Sequence, residues 1–182
     1  MIYLLMMMTG LAAAAAGAMR LSLPLLVLVI LAQGWGFCPE SPVLEWLCQP
    51  VTLVPLVFWT LFEVVGSRTA LGQRVVQAVQ FIGAPLMGAL LVSVVLPEAS
   101  WLQLLTGSCL AAVLQLVQTG YIFRKGFLPW WFTLAQDGLA VGLVLMALGA
   151  PWLGGMVALG LVGLALYQTR QWQQFNPACG KY

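Results

Sequence analysis

Five stretches of the sequence are long, apolar and almost free of formal charge, and they constrain the fold more than any other feature. Together they contain two charged side chains, Glu63 and Asp137, and they cover residues 51–66, 75–96, 101–120, 130–149 and 152–169. A helix needs about 20 apolar residues to cross the ~30 Å hydrocarbon core of a bilayer. The stretches therefore predict membrane-spanning helices.

Composition supports lipid as the main solvent of this chain. Only 7% of its 182 residues are charged, 62% are hydrophobic, and the mean hydropathy is +0.99. A soluble domain carries about a quarter charged residues, so this chain cannot cover a globular surface in water. The net charge of +2 is too small to indicate nucleic acid as a partner. We expect one transmembrane helical domain whose partner is the bilayer.

The first 33 residues are too long for one straight membrane-spanning helix. Arg20 interrupts them, and it is followed by Ser22, which can cap a new helix, and by Pro24, which suits a first helical turn. We predict two helical pieces, about 2–19 and 22–33, which either form one broken span or a tight hairpin. The predicted fold is an all-α bundle of about six transmembrane helices with a broken N-terminal helix, followed by a cytoplasmic tail at 170–182.

Basic residues occupy alternate loops, which predicts the orientation of the chain. They fall at 66–74, at 120–129 and in the C-terminal tail, whereas the loops at 34–50 and 97–100 hold only acidic charges. The positive-inside rule places the basic loops in the cytoplasm. We therefore expect a protein of a bacterial inner (plasma) membrane with a cytoplasmic C-terminus.

Asp137 is the first functional candidate. About ten ångströms of helical rise separate it from the predicted cytoplasmic interface near Trp130. An ionised aspartate at the centre of a membrane helix costs roughly 2.5–3.5 kcal/mol, so it must face protein, a partner or water. Two interpretations remain: a structural ion pair with Arg68 or Arg74, or the handling of an ion or substrate.

Several polar side chains share the predicted cytoplasmic half of the membrane with Asp137. A solvated ion pair with Arg68 would also explain Glu63. The presence of these polar residues at one depth nevertheless predicts that they share one vestibule. Its candidate binding residues are Glu63, Arg68, Gln77, Gln80, Gln136 and Asp137.

Arg20, Cys38 and Cys48 are the remaining candidate functional residues. Arg20 beside a helix N-terminus favours an anion, and anchoring to lipid phosphate is the alternative. Cys38 and Cys48 share the predicted outer loop, where a disulfide and two unpaired thiols are both compatible with their spacing. Histidine is absent and no CxxC motif occurs, so we predict no catalytic residue, no metal site and no cofactor.

Four segments in order resemble the bacterial membrane family catalogued as domain of unknown function 4126. They read GLAAAAAGAMRLSLPLL, LEWLCQPVTLVPLVFWTLFEVVGSR, VVQAVQFIGAPLMGALL and TLAQDGLAVGLVLMAL. The matching positions are Pro24, Glu63, Gln77, Pro85, Gly88 and Asp137. Ser67-Arg68 stands where the family tends to have Asp-Lys, and Gln136 where it tends to have Glu, which weakens a site with several carboxylates. The resemblance implies a small polytopic inner-membrane protein and brings no established activity.

Two functions are compatible with these features. The first is a small transporter or channel for an ion or small solute, which uses the predicted vestibule. The second is a scaffold or assembly subunit that packs against a membrane partner, or as a homodimer, through glycine-rich helix faces such as Gly138-xxx-Gly142. Without histidine we do not expect an enzyme. Transport is favoured because a scaffold has less need of polar residues at depth.

Overall fold

The computed structural model describes residues 1–35, 41–96, 98–125 and 129–175, and these residues form eight α-helices. The helices are α1 (Ile2–Met19), α2 (Leu23–Trp35), α3 (Pro42–Leu47), α4 (Pro50–Gly66), α5 (Ala70–Val95), α6 (Trp101–Lys125), α7 (Trp130–Gly149) and α8 (Pro151–Phe175). Four of them contain segments long and apolar enough to cross a membrane, namely Leu71–Val95, Trp101–Arg124, Trp130–Gly149 and Pro151–Arg170. Shorter apolar helices accompany them. The expected all-α fold is confirmed, with four long apolar helices that are candidates for crossing a membrane.

The helix boundaries differ from the predicted ones mainly at the charged ends. Helix α5 begins at Ala70, where the Thr69 side chain accepts a hydrogen bond from the backbone N–H of Gly72. Helices α6 and α8 continue to Lys125 and Phe175, beyond the predicted ends at 120 and 169. The predicted ends rest on apolar residues, which mark only the part of a helix inside lipid. The backbone hydrogen bonds of the helix continue beyond that part, so the observed helices are longer. The short helix α3 is not predicted by the sequence pattern.

Helix α1 lies at the centre of the bundle because its side chains are small. It packs against α5, α6, α7 and α8, and its alanines from Ala12 to Ala18 are buried. Lipid offers no hydrophobic drive for helices to associate, so close van der Waals packing through small residues holds such bundles together. The alanine-rich composition of α1 therefore makes it the core of the bundle.

The chain reverses direction between α1 and α2, which form an open hairpin: α1 packs against α5 to α8, and α2 packs against α4 and α7. A side chain at Gly10 would meet Leu96 at the end of α5, whereas Leu21 contacts Gly83 near the middle of α5, so α1 runs antiparallel to α5. After α2, the hydroxyl of Ser41 donates to the carbonyl of Ser93, again near the end of α5. The chain thus enters the bundle, turns near its middle and returns.

Candidate functional site

The turn between α1 and α2 holds Arg20 inside the protein. Helix α1 ends at Met19, and Arg20 has extended backbone angles with φ −147° and ψ 139°. Its side chain is only 4% exposed. A lipid-phosphate anchor would need an exposed guanidinium, so that alternative for Arg20 is wrong.

Arg20 forms an ion pair with Asp137 of α7. Its Nε donates to Oδ1 of the aspartate, which is 16% exposed. The Nη2 atom of Arg20 is buried and has no hydrogen-bond partner among the described residues. Removing either member of a buried pair leaves a charge without compensation, so Arg20 explains how Asp137 is tolerated inside an apolar helix. The pairing predicted with Arg68 or Arg74 is not the one formed.

Glu63 lies beside this pair and is surrounded by donors. It is 1% exposed, which excludes the solvated ion pair with Arg68. Ser22 donates to its Oε2 through the hydroxyl (2.8 Å) and the backbone N–H (3.4 Å). Trp59 Nε1 (3.3 Å) and Gln80 Nε2 (3.4 Å) donate to Oε1. Each oxygen thus accepts two hydrogen bonds, as an ionised carboxylate can.

Glu63 also accounts for the start of α2. Free N–H groups at a helix N-terminus attract negative charge, and the sequence predicts an anion near Arg20 for that reason. The protein supplies this anion itself, because the Glu63 carboxylate accepts from the N–H of Ser22 directly before α2. The hydroxyl of Ser22, which the sequence predicts as a helix cap, donates to Glu63.

A cavity of about 340 Å³ opens along Asp137. It lies between the end of α4 and the first half of α7, and its lining residues are Val64, Ser67, Arg68, Trp130, Thr133, Leu134 and Asp137. Arg68 is exposed and lines this cavity, whereas the aspartate forms its ion pair with Arg20. The cavity is large enough for an ion or small solute, and we refer to it as the Asp137 cavity.

The single predicted vestibule is divided in the structure. Gln80 joins Glu63, but Gln77 lies in a separate cluster, where its Oε1 accepts hydrogen bonds from Gln115 (3.1 Å) and Thr119 (3.2 Å). Gln136 lines a different cavity from that of Asp137. Neighbouring residues on a helix point about 100° apart, which is why the polar pair at 136 and 137 serves two sides of α7.

Sequence reasoning missed the partners that make the site. Trp59 precedes Glu63 by one helical turn, and this spacing is a signal of contact. Gln115 and Thr119 have the same spacing within an apolar stretch. Cys48 lies within the described residues but Cys38 does not, so the choice between a disulfide and two unpaired thiols falls outside what the structure describes. The described residues contain no group of three His, Cys, Asp or Glu side chains placed to hold a metal ion.

Comparison with known proteins places the chain in a family without assigning an activity. No curated protein and no solved structure matches it. A family model described as "Domain of unknown function (DUF4126)" matches residues 5–171. That range includes the Arg20–Asp137 pair, Glu63 and both cavities. The chain therefore belongs to the DUF4126 family, as its resemblance to that family implied.

Proposed function

We propose that this protein is a small transporter or channel that passes an ion or a small solute through the Asp137 cavity. The observation that carries this function is the buried pair of Arg20 and Asp137 at the wall of that cavity. Ionisable groups inside membrane segments are costly and usually mark substrate or ion pathways. Asp137 keeps partial exposure toward the cavity, which is the exposure that a passing ion needs.

The Asp137 cavity is surrounded by charges of both signs. Arg20 and Arg68 contribute two positive charges, and Glu63 and Asp137 contribute two negative charges when ionised, so the formal charges of these four residues cancel. A cation, or the positive end of a small solute, is most favourable next to the Asp137 carboxylate. We expect Asp137 to receive the cation because Glu63 already accepts four hydrogen bonds.

The orientation of the bundle makes the Asp137 cavity open to the cytoplasm. Arg68 and Trp130 line it; Arg68 belongs to one segment that the positive-inside rule assigns to the cytoplasm, and Trp130 directly follows the other. Exposed tryptophans support this placement in a membrane, with Trp130 and Trp131 at one interface and Trp101 and Trp152 at the other. In this proposal the hairpin of α1 and α2 and helices α4 to α8 together make six membrane-inserted units of an inner-membrane protein.

Flux through proteoliposomes tests the function. We expect purified protein to carry protons, Na⁺ or Rb⁺ above the level of empty liposomes. Asp137→Asn should return the flux to that level, because the asparagine loses the charge. The asparagine keeps an oxygen that can accept from Arg20 Nε, so size-exclusion chromatography and circular dichroism should still report a folded protein, although its free energy of unfolding should fall because Arg20 loses its partner charge.

Glu98→Gln is the matched control. It makes the same change from carboxylate to amide at an exposed loop position, so the flux should equal that of the unchanged protein. An unchanged protein that carries none of the three ions would refute transport of these cations. A flux that survives Asp137→Asn would remove Asp137 from the pathway.

A scaffold is the second candidate, and open glycines favour it. Cβ atoms placed at Gly138, Gly142, Gly160 or Gly163 would meet no neighbouring heavy atom within 4 Å, so the faces of α7 and α8 have room for another helix. A scaffold should show no flux, should co-purify with a stoichiometric membrane partner or a second copy, and should tolerate Asp137→Asn. An enzyme is not proposed, because the carboxylates of Glu63 and Asp137 are already engaged by donors.

A further inference from the structure

Two groups of opposite charge line the Asp137 cavity without pairing with each other. Oδ1 of Asp137 accepts from Arg20, and no described residue donates to its other carboxylate oxygen. Asp137 is 16% exposed, and this second oxygen is not a fully buried atom, as Arg20 Nη2 is. The exposed guanidinium of Arg68 has no hydrogen bond or ion pair with a described residue. Both groups are therefore available to a molecule in the cavity.

This arrangement favours a ligand that carries both signs of charge. The four formal charges around the cavity cancel, so a simple cation or a simple anion would leave a net charge there. A cation bound to Asp137 would also lie in the same cavity as the Arg68 guanidinium, which repels it. A zwitterion adds no net charge and places each end next to its countercharge.

We propose that the Asp137 cavity binds a small zwitterion that joins a primary ammonium group to a carboxylate or a phosphate. The ammonium donates to the second oxygen of Asp137, and the acidic group accepts from the Arg68 guanidinium. This inference rests on the proposed function, because it names the class of solute that the cavity passes. Free amino acids have this chemistry, and so does the ethanolamine headgroup of a phospholipid.

Two hydroxyl groups in the cavity wall suit the ammonium end. Thr133 precedes Asp137 by one turn of α7, and Ser67 directly follows α4. Their hydroxyls donate to the backbone carbonyls of Trp130 (2.7 Å) and Val64 (2.9 Å), so toward a ligand both can only accept. An ammonium group has three protons to donate and accepts none. The carboxylate oxygen and the two hydroxyl oxygens provide as many acceptors as the ammonium has donors.

Binding of radiolabelled zwitterions to the purified full-length protein in micelles tests this site. The cavity of about 340 Å³ has the space of roughly eleven water molecules, which admits glycine, β-alanine, γ-aminobutyrate or phosphoethanolamine. Scintillation proximity should detect saturable binding of at least one of these four probes. Its unlabelled form should displace it at least about tenfold better than propylamine or propionate, each of which keeps one charge. That factor corresponds to the loss of one charge-assisted hydrogen bond.

Matched variants assign the two ends of the ligand. Arg68→Met should remove the advantage of the zwitterion over propylamine, whereas Arg124→Met, at an exposed position outside the cavity, should keep it. Thr133→Val should weaken the zwitterion and propylamine alike, by at least about threefold, because one acceptor for the ammonium is lost. Thr106→Val removes a hydroxyl that also donates within its own helix, but outside the cavity, and should change neither.

Phospholipids added to the micelles separate the two sources. Phosphatidylethanolamine has both charges, whereas phosphatidylglycerol has only the phosphate. Displacement of the probe by phosphatidylethanolamine alone would identify the ligand as a lipid headgroup, and displacement by neither lipid would identify it as a free solute. Equal displacement by both lipids would overturn the ammonium contact with Asp137.

Other results would overturn the zwitterion and leave transport to be judged separately. The zwitterion is wrong if none of the four probes binds, if propylamine displaces as well as the zwitterion does, or if the preference survives Arg68→Met. A cation flux that requires Asp137, in a protein that binds no zwitterion, would keep transport and overturn this substrate class. Zwitterion binding without uptake into proteoliposomes would keep the site and overturn its transport.

Discussion

Among the residues that the structure describes, two clusters of buried polar side chains are built on different principles. The charged cluster joins Arg20 to Asp137 and surrounds Glu63 with donors at the break between α1 and α2. The amide cluster joins Gln77 to Gln115 and Thr119 between the continuous helices α5 and α6. One cluster contains formal charges and an interrupted helix, and the other contains neither.

The two clusters should differ in how much the stability of the bundle depends on each side chain. A buried charge needs its partner, since an uncompensated charge in a low dielectric costs far more than an unmade neutral hydrogen bond. A neutral amide inside a membrane can lose one partner at small cost. The charged cluster should therefore respond strongly to each substitution, and the amide cluster should respond weakly.

The largest effect should follow Arg20→Met. Methionine keeps much of the length of the side chain but leaves Asp137 and Glu63 without a buried cation. Loss of one member of a buried ion pair destabilises proteins by about 3–5 kcal/mol, and we expect the free energy of unfolding to fall by an amount in that range. Reversible unfolding in mixed micelles with increasing denaturing detergent measures it.

A double variant tests whether the ion pair causes this loss, and a substitution of an exposed arginine serves as the control. Arg20→Met combined with Asp137→Leu should recover much of the stability, because the uncompensated aspartate is gone. Arg68→Met changes an exposed arginine at the Asp137 cavity and should leave stability nearly unchanged. If the double variant is no more stable than Arg20→Met alone, the ion pair is not what connects these two residues energetically.

Glu63→Gln should have an intermediate effect. The amide presents an NH₂ group where one carboxylate oxygen accepted two hydrogen bonds, so either the Ser22 pair of donors or those of Trp59 and Gln80 face another donor. Buried donors left without partners cost about 1–3 kcal/mol. The same unfolding measurement should report a loss in this range, whereas Glu45→Gln, at an exposed position, should report none. A Glu63→Gln protein as stable as the unchanged chain would mean that the four donors do not hold a carboxylate.

The class of the protein and the depth of its polar residues in the membrane can be predicted from the sequence, because both depend on local features. Runs of apolar residues reveal the membrane class, and a lone aspartate or glutamate within such a run has to face the protein interior. The sequence alone therefore singles out Asp137 and Glu63. The break at Arg20 is visible in the sequence as well, because a charge, a serine and a proline follow one another there.

The sequence does not predict which polar side chains contact one another, because these contacts depend on how helices that are distant in the chain face one another. Arg20 and Asp137 are 117 positions apart, and Arg68 and Arg74 are nearer choices in predicted depth. The separation of Gln77 from Gln80 has the same origin. Three residues rotate a helix by about 300°, and this rotation turns Gln80 toward α4 and Gln77 toward α6. Predicted depth alone gathers them into one vestibule, and helix rotation divides them.

The smallest effect should follow Gln115→Leu. Gln115 is completely buried, but only one end of its amide is used: Nε2 donates to Gln77, whereas Oε1 has no partner among the described residues. Interhelical hydrogen bonds in membranes contribute about 0.6 kcal/mol on average, and leucine removes an unsatisfied acceptor at the same time, so unfolding in mixed micelles should report a loss no larger than this. Gln77→Leu should cost more, because Gln77 accepts from both Gln115 and Thr119. The opposite result would be that Gln115→Leu destabilises the protein as much as Glu63→Gln does. That result would mean that formal charge does not determine which buried side chains the bundle requires.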